Sequence, residues 1–422
     1  MPWTTGRDSS ARTGHATKER AVRLPLMGGV REVFLVFLRL GCTSFGGPVA
    51  HLGYYRAELV AKRRWLSEAT FADIVALCQF MPGPASSQTG MAIGLLRAGP
   101  LGMFAAWFGF TLPSALAMTL FAYGVGVIGD LSHAGWLRGL KLVAVAVVAQ
   151  AVWGMARSLA PDRARASVAV AACLVCLAVP SSFGQIAAIV LGAVVGVSVL
   201  PREPPGADQP VRMGVRIPTA LAVSLLLAFF ALLFGLPLLA DASGGHVLHL
   251  VDAFYRAGSL VFGGGHVVLP LLQATVVEPG WVGQDVFLAG YGATQAMPGP
   301  VFTFAAFLGA VETPGPNGWV GALLATVSIF ASSFLLVGGL LPFWDTLRHR
   351  AGVRAALRGV NAAVVGVLLA ALFTPIWTGA VHTSGEFGLG LVAFLLLTLW
   401  AVPPWLVVLL GAASGWSLGF VV

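Results

Sequence analysis

The sequence predicts an all-α polytopic membrane protein built as two inverted-topology repeats with broken or re-entrant helices. Composition points there first: of 422 residues 57% are hydrophobic and only 10% charged, too few charges to cover a soluble surface of this size. Apolar runs close to the length of a bilayer recur at 101–128, 139–156, 217–240, 318–342, 359–376 and 388–402. Barrel strands would show short alternating segments instead. The third observation is an internal repeat. F-L-R-L-G-C-T-S-F-G-G-P at 37–48 returns as F-Y-R-A-G-S-L-V-F-G-G-G at 254–265, and M-P-G-P at 81–84 returns at 297–300.

Taken in order, residues 1–30 are basic, polar and without an apolar core, and read as a disordered cytoplasmic tail rather than a signal peptide. The first repeat is expected over 31–200. A Pro-rich polar linker and a connecting transmembrane helix follow at 201–246, and the second repeat at 247–422. L-R-G-L-K at 137–141 is weakly echoed by L-R-G-V-N at 357–361. Charge sets the relative orientation. The loop holding Arg56, Lys62, Arg63 and Arg64 corresponds to one holding Glu278 and Asp285 with no base, and no Lys or Arg occurs between Arg256 and Arg348. Basic loops stay cytoplasmic, so equivalent loops face opposite sides, and the single crossing at 217–240 inverts the second copy. The formal charge of +8 therefore reflects topology. Nucleic acid is not expected as a partner. The four cysteines lie in apolar stretches, and the Cys173–Cys176 pair has no companion ligands, so neither metal nor cofactor is expected.

Inverted repeats with discontinuous helices are a transporter plan, with the substrate near the midplane at the repeat interface. Pro82-Gly83-Pro84 must end a helix over 69–80, and a new helix starting at Ala85 points the free amides of Ala85, Ser86 and Ser87 at the break. Gly299 and Val301 are the counterparts. Helix N-termini bind anions through those amides and the macrodipole. Gly46-Gly47 and Gly263-Gly264 expose backbone at membrane depth, which is tolerated only in a protein-lined or wet site. Residues 31–55 and 67–98 are expected to be re-entrant hairpins. Arg39 and Arg256 supply two matched cations that balance a dianion; the alternative is that each pairs with a structural carboxylate such as Asp73. Ser44, Gln79 and Gln295 offer neutral donors, and Asp73 and His266 are candidates for coupling or gating.

At these residues the sequence resembles the chromate ion transporter family in its long, two-domain form. The features that carry the resemblance are F-L-R-L-G-C-T-S-F-G-G-P, W-L-S-E-A-T-F-A-D-I-V-A-L-C-Q-F-M-P-G-P and their second-half echoes, over about 31–400. The second half departs from the pattern at Gly265-His266, where the first has Pro48-Val49. The resemblance implies chromate efflux across a bacterial inner membrane, with sulfate as the close analogue and the lipid bilayer as surroundings. A homodimer stays open. Two other classes are weighed against this: a passive anion channel, and a membrane enzyme acting on lipid phosphate. The enzyme would need a base or nucleophile beside the phosphate, and Asp73 is the sole intramembrane carboxylate that the sequence reading finds for it.

Overall fold

The computed structural model describes residues 26–128, 135–201, 217–262, 265–347 and 350–418; the expected tail up to residue 25 and the linker 202–216 lie outside them. The described residues are helical throughout, without a strand. Five helices are long and apolar enough to cross a membrane: Ala85–Gly126, Gly135–Leu159, Thr219–Ser243, Gly318–Phe343 and Ala351–Trp377. The apolar run at 388–402 falls on the shorter helix Ser384–Thr398.

The chain opens with α1 (Leu26–Thr43), so the last residues assigned to the tail already belong to a helix. It reverses at Gly46 and Gly47, both at positive φ, and returns as α2 (Gly47–Tyr55) with a π-helical continuation to Lys62. Next, α3 (Glu68–Phe80), capped by the Ser67 hydroxyl on the Thr70 amide, runs in to the Pro-Gly-Pro break. The chain leaves it as α4 (Ala85–Ile128), which kinks at Ala98 and Gly99 just before Pro100. Both hairpins return to one charged belt. Arg97 and Arg63 each pair with Glu32, at 3.1 and 3.4 Å, Arg63 and Lys62 pair with Glu58, and Arg97 lies over Trp65. Since 32, 56–68 and 97 meet at one level, residues 26–97 form two re-entrant hairpins and not two spans.

The second half repeats this plan. α9 (His246–Leu260) runs in, a segment containing α10 (Val268–Leu272) runs out, α11 (Gln284–Thr294) runs in and α12 (Phe304–Val311) runs out. Here the ends are tied by His246 Nε2 to Glu312 at 2.6 Å, by the His246 ring against Trp281, and by the Thr313 amide donating to Trp281 O. The long part of α4 packs antiparallel to α13 (Gly318–Leu340): Phe104 meets Phe334 and Tyr123 meets Trp319. Arg97 precedes the start of that part of α4 and Glu312 precedes α13, so the two belts lie at opposite ends of the molecule. The two sets of hairpins therefore enter from opposite faces.

The halves are also interleaved. α5 (Gly135–Leu159) packs against α16 (Ser384–Thr398) and α17 (Pro404–Leu418) of the second half. α15 (Ala351–Ala371), which follows the short α14 (Trp344–Leu347), packs against α6 (Arg163–Ala178) and α7 (Ser182–Val199) of the first. The weak L-R-G echo explains this. A Cβ on Gly139 would overlap the Gly411 carbonyl, and a Cβ on Gly359 would overlap the Gly192 carbonyl. Each glycine lets a central helix lie backbone to backbone on the other half, as small residues do in membrane bundles. Finally α8 (Thr219–Ser243) lies on α9 and α13, with Tyr255 donating to Phe229 O.

Candidate functional site

The four hairpin tips meet in the centre, and they meet crosswise. The Gly83 amide donates to Val261 O at 2.6 Å, and the Gly299 amide donates to Ser44 O at 2.9 Å. Each Pro-Gly-Pro break of one half is thus bonded to the Gly-Gly turn of the other, at matched positions. Gly83 and Gly299 sit at φ +115° and +96°, where a side chain is strained. These two amides, expected to be free for a ligand, are spent on the protein itself. Buried backbone donors must be paired, and the facing turn offers carbonyls released by its own break.

What remains free is the first turn of the re-started helices. In α4 the first i→i−4 bond runs from Gln88 to Pro84 O, leaving the amides of Ala85, Ser86 and Ser87 outside the helical ladder. In the second half Thr303 bonds back to Pro300 O, leaving Val301 and Phe302. The turn containing Gly265 packs between Val301 and Pro48 of the opposite tip. Gly263 and Gly264 lie outside the described residues.

Around the crossing stand side chains that the sequence reading missed. A Cβ on Gly299 would be 2.8 Å from Ser114 Oγ, and one on Gly83 would be 3.2 Å from Ser333 Oγ. These serines are equivalent: Gly41 lies on Phe110 O and Gly258 on Ile329 O, which aligns α4 with α13 and Ser114 with Ser333. Gln88 donates to Pro82 O at 2.6 Å and reaches Ser333 Oγ at 3.4 Å. His51 is 1% exposed, with Nδ1 3.3 Å from Ser86 Oγ. No short motif marks these residues, because isolated Ser, Gln and His on apolar helices acquire meaning only once a tip is placed beside them. Several polar atoms here are buried without a partner: Ser44 Oγ, His51 Nε2, Ser87 Oγ, Gln88 Oε1, Thr111 Oγ1, Gln295 Nε2 and Ser332 Oγ. Orphaned polar groups on that scale are uncommon in a finished core.

The two arginines differ from the expected matched pair. Arg256 is half-buried and ion-paired with Asp252, one turn earlier on α9; Asp252 is 4% exposed. The D-x-x-x-R spacing carried that signal, and Asp252, not Asp73, is the carboxylate involved. Arg39 stands on the exposed stripe of α1 with Arg31 and Leu35 and makes no ion pair among the described residues. A shared +2 charge is therefore not assembled: Asp252 cancels one member. Gln79 is exposed and Asp73 half-buried on α3, while His266 Nδ1 bonds the Tyr291 hydroxyl at 2.6 Å. Outside the membrane segments, the Arg63 hydrogen bond holds the Glu58 carboxyl below the usual range. The four cysteines are free, and no group of three or more His, Cys, Asp or Glu among the described residues could hold a metal ion.

Comparison with known proteins adds to this geometry. A family model described as chromate transporter matches residues 31–197 and 248–416. A chromate transport protein of Pseudomonas aeruginosa is 29% identical over 86% of this chain and 84% of its own length. A probable chromate transport protein of Synechococcus elongatus is 25% identical over 92% and 96%, and a chromate transport protein of Cupriavidus metallidurans is 26% identical over 81% and 82%. No solved structure matches the chain.

Proposed function

The chain belongs to the chromate transporter family, and from that premise we propose that it exports chromate by alternating access of its two halves, conferring chromate resistance on its host. One observation carries the mechanism: the crossed Gly83–Val261 and Gly299–Ser44 hydrogen bonds, which bring both helix breaks of the inverted halves to one junction rich in unpaired buried donors. Chromate is a tetrahedral dianion that must exchange its water for several donors. The free amides at Ala85–Ser87 and Val301–Phe302, with the hydroxyls of Ser44, Ser86 and Ser333, are donors of that kind. Rocking one set of hairpins against the other changes which belt, the Glu32–Arg97 end or the His246–Glu312 end, opens to the junction. The charge of the basic first-half belt supports a cytoplasmic N-terminus, in a bacterial inner membrane. Arg39, at the exposed face of α1, draws the anion towards the tips.

The test is chromate uptake into everted membrane vesicles, with sulfate as competitor. Saturable uptake that is lost in Arg39→Gln, with the variant still inserted, is the expected result. Uptake equal to that of vesicles lacking the protein would overturn chromate transport, and full uptake by Arg39→Gln would remove that residue's role. Sulfate displacing chromate at equal concentration would broaden the substrate to tetrahedral oxyanions.

A further inference from the structure

We propose that His51 is a proton-binding residue of the transport site, so that the oxyanion and one proton bind together. This rests on the site proposed above and concerns how its charge is balanced. A dianion taken into a buried junction needs a compensating cation. Arg256 does not supply it, because its guanidinium is held by Asp252. His51 is placed to do so. It is buried on α2, one hydrogen bond from Ser86 at the N-terminus of α4, and its Nε2 is buried with no partner. Its ring packs edge-on against Phe110, the residue whose carbonyl lies beside Gly299. The imidazole therefore stands between the first-half break and the part of α4 that lies against Gly299.

The groups facing it leave its charge state to the ligand. From α2 itself the neighbour in the same cluster is Tyr55, whose hydroxyl is buried and unpartnered. From α4 come Ser86 and Phe110, neither charged; Arg97 is tied up in the distant belt. From α1 comes Ser44, whose backbone hydrogen-bonds the ring, with Arg39 and Cys42 further out on the exposed side of that helix. From the second half His266 is bonded to Tyr291. With no carboxylate among these, the counter-charge for a protonated imidazole comes from the entering dianion, and by linkage proton and anion favour each other's binding. The proton adds to a free imidazole nitrogen, so one positive charge travels with each two negative ones.

Calorimetry of chromate binding to the purified protein tests this, at pH 8 and above, where chromate itself is already the dianion. Repeating the titration in two non-oxyanion buffers of unlike ionisation heat reads the protons taken up. The expected result is about one proton per anion, an affinity falling about tenfold per pH unit, loss of both in His51→Gln, and retention of both in His266→Gln. Binding by the unaltered protein with no proton uptake overturns the proposal without the need for any variant; so does undiminished uptake in His51→Gln. Absence of chromate binding at any pH counts against the transport site itself, and so against the proposal built on it.

Discussion

The two sets of hairpins, 26–97 and 246–312, share a plan and differ in almost every charge. The first closes on a broad, solvated belt of Glu32, Glu58, Arg63 and Arg97; the second closes on His246 and a Glu312 that is 1% exposed. A tryptophan at the matched position braces both, Trp65 under Arg97 and Trp281 against His246. The first tip leaves Arg39, Cys42, Thr43 and Gly46 exposed, whereas α9 is overlaid by α8 and its arginine is neutralised by Asp252. The lesson is that the repeat keeps its backbone devices, the turns and the breaks, while the electrostatics of its two ends diverge.

The largest effect expected from this asymmetry is at Arg256. Arg256→Gln leaves Asp252 buried and uncompensated and costs about 3–5 kcal/mol. Thermal unfolding in detergent should show it, with recovery in the Asp252→Asn, Arg256→Gln double variant. A fall in stability of the same size in Arg39→Gln would erase the difference between the halves. Next come the belts. His246→Ala strands Glu312 and should cost about 2–4 kcal/mol, whereas Glu32→Ala, removing a half-exposed acid from a solvated network, should cost at most about 1 kcal/mol. Equal losses would mean that the belts are energetically alike.

The breaks themselves should behave symmetrically. Gly83→Ala forces a side chain into positive φ and onto Gln88 Nε2; Gly299→Ala does the same against Ser114. Each should cost about 1–2 kcal/mol and lower vesicle uptake at least about tenfold, since the crossed bonds must shift. A variant pair with unequal uptake would show that one half's break dominates the site. The smallest effect is acid sensitivity of the first belt. The bound carboxyl of Glu58 is held low, so its contribution is complete above the ordinary carboxylate range and fades as pH falls through the lowered value. Hydrogen exchange at 56–65 should therefore rise below about pH 4, and constant exchange there would remove Glu58 from the belt.

Much of the fold was open to reading from the residues in order. Apolar run length, basic-loop bias and the duplicated R-x-G and M-P-G-P blocks are local or linear signals, and they determine membrane class, duplication and inversion. Pro and Gly act on their own backbone, so the breaks at 82–84 and 298–300 are written where they occur. Tertiary structure alone decided what the breaks touch. That Gly83 would bond Val261, that Ser114 and Ser333 would stand over opposite glycines, and that His51 would face Ser86 depends on four tips arriving at one point. Such meetings arise from packing between helices far apart in the chain. The difference between the two matched arginines is local instead: among the described residues Arg256 is ion-paired and Arg39 is not, because Asp252 stands one turn before Arg256 where Leu35 stands before Arg39.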